Sequence, residues 1–264
     1  MYPVIHLGRM IVPVFGVVLA TGLVGALTLS LKTARRVGVD GDALWNVISV
    51  ATVAVILISR ALPVAGNWTA FKEYPVLVLT TPAVGALSVV LAAVIAAVYW
   101  RRVGLKMWRG LDALAACGAL AIAFVWLGEF FAGKSWGWPA TVAWSVTYRS
   151  AWASRFYGTP LGVAVHPVQV YGFLAWLALC SALVWVLGRG RQGDAFVAFL
   201  VVGGAVAFVL EMFVAHPVDA LMLSGLDGMQ WVSLMVMAVG TALIWRHGET
   251  IVRVEKESVV SDAV

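Results

Sequence analysis

Residues 111–132 read LDALAACGALAIAFVWLGEFFA, with Asp112 and Glu129 as the only charged side chains, one near each end. A helix of about 20 apolar residues crosses the ~30 Å hydrocarbon core of a bilayer. The same texture recurs near 10–31, 44–65, 75–100, 167–188, 195–214 and 230–245, which makes seven spans in all. Helix is the required conformation, because backbone exposed to lipid has no water to bond and must satisfy itself. Small residues inside the runs, such as Gly16, Gly22 and Gly25 or Gly203 and Gly204, let neighbouring helices approach closely.

The rest of the chain agrees with that stretch. Of 264 residues, 62% are hydrophobic and 12% charged, and the mean hydropathy is +0.95. Soluble domains average about 25% charged residues, so this chain has too little polar surface for a water-soluble globule. The expected fold is an all-α integral membrane protein, a single seven-helix domain over 1–245 with an outer loop at 133–166. A charged cytoplasmic tail, 246–264, is expected to lack regular structure. Cys117 and Cys180 each lie inside an apolar run and read as buried thiols, which excludes a disulfide framework. The first run has neither a basic segment before it nor a small-residue cleavage site after it, so it reads as a retained span.

Orientation follows from the basic residues. Lys32, Arg35, Arg36, Arg101, Arg102, Lys106, Arg109, Arg189, Arg191, Arg246, Arg253 and Lys256 fall on one side, against Arg9, Lys72, Lys134, Arg149 and Arg155 on the other. The positive-inside rule then sets the N-terminus outside and the C-terminus in the cytoplasm. The net charge of +5 is met by anionic lipid at the inner rim and calls for no nucleic acid.

With that orientation the polar residues gather on one side. Arg60, Glu129 and Glu211 fall near the outer ends of the second, fourth and sixth spans. His166, Gln169, Tyr171, Gln230 and Ser233 open the fifth and seventh at the same level, and Thr80 and Thr81 lie in the outer half of the third. Charge inside a span costs several kcal/mol unless it is paired or wet, so the clustering points to a polar cavity open toward the outer leaflet. The loop 133–166 carries Trp136, Trp138, Trp144, Tyr148, Trp152, Phe156 and Tyr157, a composition suited to the headgroup level. It serves either the site or simply as an aromatic anchor. Asp112 reads as the N-cap of its own helix.

Several of these segments resemble one family. Val165-His166-Pro167-Val168-Gln169-Val170-Tyr171 is similar to the "HPxQLYE" segment of bacterial prolipoprotein diacylglyceryl transferases. Leu127 to Gly137, LGEFFAGKSWG, resembles their "RIGNFINGELWG"; Phe208 to Phe213, FVLEMF, their "RFxxEFFR"; and Gln230-Trp231-Val232-Ser233 their "GQxLS". Arg60 falls where the family has "GARLG". The resemblance implies a seven-helix protein of the bacterial plasma membrane, with its N-terminus outside, that moves diacylglyceryl from phosphatidylglycerol to a lipoprotein-precursor cysteine. Departures are as specific as the matches. Thr80 stands for the His of "HGG", Trp126 for the Arg of "RIGNF", Glu129 and Ala132 for its Asn positions, and Lys134 for its Glu. Gly172 replaces the Glu of "HPxQLYE", and Ala207 and Val214 replace two Arg.

Such a transfer needs a thiolate, hence a base or a positive charge nearby, and a cation on the phosphate that leaves. The residues implied as catalytic are His166, Glu211 and Arg60, each with a structural alternative. His166 is a general acid or base, or it caps the fifth helix. Glu211 is the base or the buried partner of Arg60. Arg60 grips phosphate or snorkels at a helix end. Gln169, Tyr171, Gln230 and Ser233 suit headgroup bonds or bonds between helices. Glu129 and Lys134 form a local pair or meet the lipid, with Lys134, Arg149 or Arg155 supplying the lost phosphate contact. No cofactor is implied, and no metal-ligand spacing occurs. Two functions therefore stand side by side: a divergent transferase, and a non-catalytic relative that binds phospholipid or a lipoprotein partner. Other seven-helix classes lack their essential residues. The seventh span has no lysine for retinal, only His166 lies near a span for haem, and Ser224 beside His216 sits in a loop.

Overall fold

The computed structural model describes residues 4–7, 10–74, 85–215 and 225–261. Among these, helices occupy α1 (Val14–Val37), α2 (Gly41–Gly66), α3 (Trp68–Glu73), α4 (Ala86–Val103) and α5 (Met107–Ala132). They continue with α6 (Ala151–Tyr157), α7 (Val168–Val186), α8 (Asp194–Glu211) and α9 (Gly228–Ser261). The described residues also form two short antiparallel ladders, β1 (Val4–Leu7) with β2 (Met10–Pro13), and β3 (Val146–Thr147) with β4 (Ala164–Val165). Among the described residues, six helices are long and apolar enough to cross a membrane: α1, α2, α5, α7, α8, and α9 as far as Trp245. The chain is a helical integral membrane protein. Only the later part of the third apolar run is described, where it forms α4; Thr80 and Thr81 lie outside the described residues. Beyond Trp245 the backbone stays helical to Ser261, where irregular chain was expected. Residues 249–261 contain neither Gly nor Pro to stop it.

The chain divides into two compact units, 1–26 with 111–264, and 27–110. Within the smaller unit α2 packs along α4. Asp40 caps α2 through a bond from the Asp42 N–H at 3.0 Å, and Pro63 lies in its last turn, three residues past the half-buried Arg60. In the larger unit, small residues set the helix spacing as the sequence suggests. A Cβ on Gly22 would lie 2.6 Å from Phe124 Cγ, so α1 and α5 meet at backbone distance there. Gly203 receives the Trp176 ring of α7, and Gly204 sits 3.0 Å, by the same construction, from the Ser233 carbonyl of α9. Gly16 differs, with open space around it. Both cysteines are buried thiols outside any disulfide.

Asp112 corrects the sequence reading. α5 starts at Met107, so Asp112 lies inside the helix and cannot cap it. Its carboxylate instead accepts from the Gly193 N–H at 2.6 Å and the Phe196 N–H at 2.9 Å, capping α8 from a neighbouring helix. The first N–H groups of a helix have no partner of their own, and this one side chain, 4% exposed, takes two of those that α8 presents. Asp112→Ala should therefore cost about 1–3 kcal/mol, read as a lower thermal midpoint in detergent. Asp112→Asn, which keeps one acceptor oxygen, should cost less.

Candidate functional site

At the far end of α5 from Asp112, the backbone builds a frame. Gly133 turns the chain with φ +77°, and the following segment runs extended between two others. On one side the Ala215 N–H donates to the Trp136 carbonyl at 2.9 Å, and the Trp138 N–H to the Phe213 carbonyl at 3.1 Å. On the other, the His166 N–H donates to the Trp138 carbonyl at 3.0 Å, and the Ala140 N–H to the Ala164 carbonyl at 2.9 Å. This joins the chain leaving α8, just past Glu211, to the chain entering α7, at His166. Gly137 allows the approach, since a Cβ there would come within 2.6 Å of the His166 carbonyl oxygen. Thr159 ties the loop down by donating to the Gly133 carbonyl at 2.7 Å.

The side chains hang on this frame. Lys134 Nζ pairs with Glu129 Oε1 at 2.8 Å; the carboxylate side is 10% exposed and the lysine 51%. Gln169 is fully buried. Its Nε2 donates to the Lys134 carbonyl at 2.6 Å and to the Tyr148 hydroxyl at 3.1 Å. Burial pushes the Tyr148 phenol up to about 12, partly offset by the Gln169 bond, so it stays neutral. Tyr171 accepts from the Trp144 indole N–H at 2.6 Å and lies 3.3 Å from His166 Nδ1. Phe213 meets the His166 ring edge to face at 5.8 Å and the Tyr171 ring at 6.3 Å.

Glu211 ends α8 half-buried, its side chain hydrogen-bonded to Asp227, with Glu129 close enough to interact through charge. Asp227 and Gln230 cap α9 reciprocally. The Gln230 N–H donates to Asp227 Oδ1 at 2.6 Å, and the Asp227 N–H to Gln230 Oε1 at 3.1 Å. The Ser233 hydroxyl donates back to the Met229 carbonyl at 2.8 Å.

Eight of the nine residues implied by the sequence thus gather at one end of the larger unit: Glu129, Lys134, His166, Gln169, Tyr171, Glu211, Gln230 and Ser233. Arg60 belongs to the smaller unit. Arg149 and Arg155 are exposed, Arg155 lying 6.0 Å from the centre of the Phe156 ring. Three participants were missed: Asp227, Tyr148 and Trp144. Asp227 had a signal, since Asp-x-x-Gln before an apolar run is a capping box. The other two had none beyond membership of the aromatic loop, because their partners lie 21 and 27 residues away.

Two departures from the family pattern turn out to touch. The Trp126 ring of α5 lies flat against Gly172 of α7, where a Cβ would sit 2.6 Å from Trp126 Cγ. An aromatic ring and a bare glycine stand at the two positions for which the family pattern has Arg and Glu. The Trp126 ring occupies the space that a side chain at 172 would need.

As chemistry, the cluster combines three carboxyl groups, one ammonium, an imidazole and two phenols. It can accept and pass protons, and the half-exposed Lys134 can meet an anion.

A family model described as prolipoprotein diacylglyceryl transferase matches residues 3–246. Among similar proteins is a phosphatidylglycerol–prolipoprotein diacylglyceryl transferase of Synechococcus elongatus, 23% identical over 92% of this chain and 86% of its own length. Proteins of the same name from Bacillus cytotoxicus and Clostridium tetani are 24% and 23% identical. They match over 91% and 86% of this chain, and each over 89% of its own length.

Gly172→Ala should destabilise the protein by about 1–3 kcal/mol through overpacking against Trp126. Trp126→Leu on the same chain should restore most of that, which a double-mutant thermal cycle in detergent would read as coupling. Additive losses would mean that the two positions are independent.

Proposed function

The chain belongs to the prolipoprotein diacylglyceryl transferase family, and from that premise we propose that it moves diacylglyceryl from phosphatidylglycerol to the cysteine thiol of a lipoprotein precursor. It is a membrane transferase resembling that enzyme, and the finer assignments are ours. The thiol loses its proton to the Glu211 carboxylate while the proton that Glu211 and Asp227 share rests on Asp227. The thiolate sulfur then attacks the glycerol carbon that bears the phosphate, forming a C–S bond. The C–O bond breaks, and glycerol phosphate leaves with the electron pair. His166 carries a proton between the site and water. Lys134 meets the phosphate; for Arg60 a phosphate-binding role rests on its motif alone. Gln169 holds the Lys134 backbone, Gln230 seats Asp227 beside Glu211, and Tyr171, Glu129 and Ser233 line the approach.

What supports this reading most is the extended segment 136–140, whose backbone bonds tie the chain before α7 to the chain after α8 and so bring His166 against Phe213, two residues past Glu211. A proton acceptor and a proton carrier on rigid helix ends are what thiol activation requires. We further read seven spans in the bacterial inner membrane, with run 75–100 as the third. The N-terminus is outside, the C-terminus is cytoplasmic, and the site opens to the outer leaflet.

Transfer from labelled phosphatidylglycerol to a lipobox-cysteine peptide tests the chemistry. Purified protein should catalyse it, and Glu211→Gln and His166→Ala should each lower kcat on the order of 100-fold. Folded protein that binds the lipid without transferring it would leave a lipid-binding relative instead. For the topology, a C-terminal fluorescent fusion should glow in the cytoplasm, whereas a C-terminal alkaline phosphatase fusion should be inactive. An active phosphatase would reverse the orientation.

A further inference from the structure

Trp144 is 63% exposed, yet its indole nitrogen is engaged. A tryptophan that merely anchors a loop at the membrane surface turns its N–H toward headgroups and water. This one donates to the Tyr171 hydroxyl at 2.6 Å. An indole N–H can only donate, so the Tyr171 oxygen must accept. The phenol has a single proton of its own, and among the described residues its other polar neighbour is His166 Nδ1, at 3.3 Å. If Nδ1 carried a proton, the Tyr171 oxygen would have to accept twice and its own proton would need a third partner; with Nδ1 bare, that proton has an acceptor 3.3 Å away. Which ring nitrogen of a histidine holds the proton is set by the bond the other one makes.

We infer that Trp144 is a positioning residue: through Tyr171 it holds neutral His166 with a bare Nδ1 and its proton on Nε2. Phe213, in ring contact with both His166 and Tyr171, limits the orientation of the pair. The imidazole then offers the site one defined donor, Nε2–H, and takes it back in one defined place after each proton transfer. Trp144 lies in the loop and Tyr171 on α7, so the order of the loop becomes a condition for the state of His166. The consequence for turnover rests on the reading of His166 as a proton carrier; the tautomer does not.

The test uses full-length protein labelled with 15N-histidine in lipid nanodiscs, with the His166 signal assigned by its loss in His166→Gln. Wild-type protein should show neutral His166 with Nε2 protonated and Nδ1 bare. Trp144→Phe, which keeps a ring in the loop, should shift that signal to a mixture of tautomers. Tyr171→Phe removes the hydroxyl without touching the loop and should do the same, which covers the case of a poorly folded Trp144 variant. In the phosphatidylglycerol transfer assay, Trp144→Phe should lower kcat on the order of 10-fold with little change in KM. A wild-type signal with Nδ1 protonated, or a tautomer unmoved by both substitutions, overturns the inference. A tautomer that responds in a protein without transfer activity supports it while overturning the transferase reading. Transfer that proceeds with neither tautomer nor kcat altered in Trp144→Phe overturns the positioning role alone.

Discussion

The backbone of Trp138 is bonded on both sides, its N–H to the Phe213 carbonyl and its carbonyl to the His166 N–H. The arrangement of the polar cluster depends on those two bonds. Helices crossing a bilayer are held by close packing and a few polar contacts, since lipid supplies no hydrophobic drive between them. Packing of that kind leaves the helix ends to be positioned by something else. Here a strand-like segment does it, by offering the chain past α8 and the chain before α7 the partners their peptide groups need. Gly137 belongs to the same device, because any larger residue would force the segment away from His166.

Given that frame, most polar side chains hold one another. Gln169 secures the Lys134 carbonyl, Lys134 secures Glu129, and Asp227 joins Glu211 to the cap of α9. Buried polar groups are costly unless bonded, and a chain of mutual bonds meets that cost while fixing positions. It also separates residues that support the site from those free to act. Gln230 and Ser233 spend their bonds within α9, whereas Lys134 keeps half its surface open.

The Trp126–Gly172 contact makes α5 and α7 meet through a ring and a bare backbone at two positions where the resemblance implies Arg and Glu. A lone charge there would cost several kcal/mol inside a bundle, a cost that this contact does not incur.

Much of this was legible in the chain itself. Runs such as 111–132 determine a helical membrane protein, because a stretch so apolar has no stable place in water and only a helix satisfies its backbone in lipid. The recurrence of Glu129, His166, Gln169, Tyr171, Glu211 and Gln230 near one end of successive runs determines that they share a level. Spacing along the chain carries no information about bonds across it. That Asp112 caps α8 instead of α5, that Trp126 rests on Gly172, and that Trp144 reaches Tyr171 were decided only when helices far apart in sequence packed together. The physical reason is the same in each case: a peptide N–H, a ring or a hydroxyl takes the partner that folding brings within about 3 Å, and sequence order does not measure that distance.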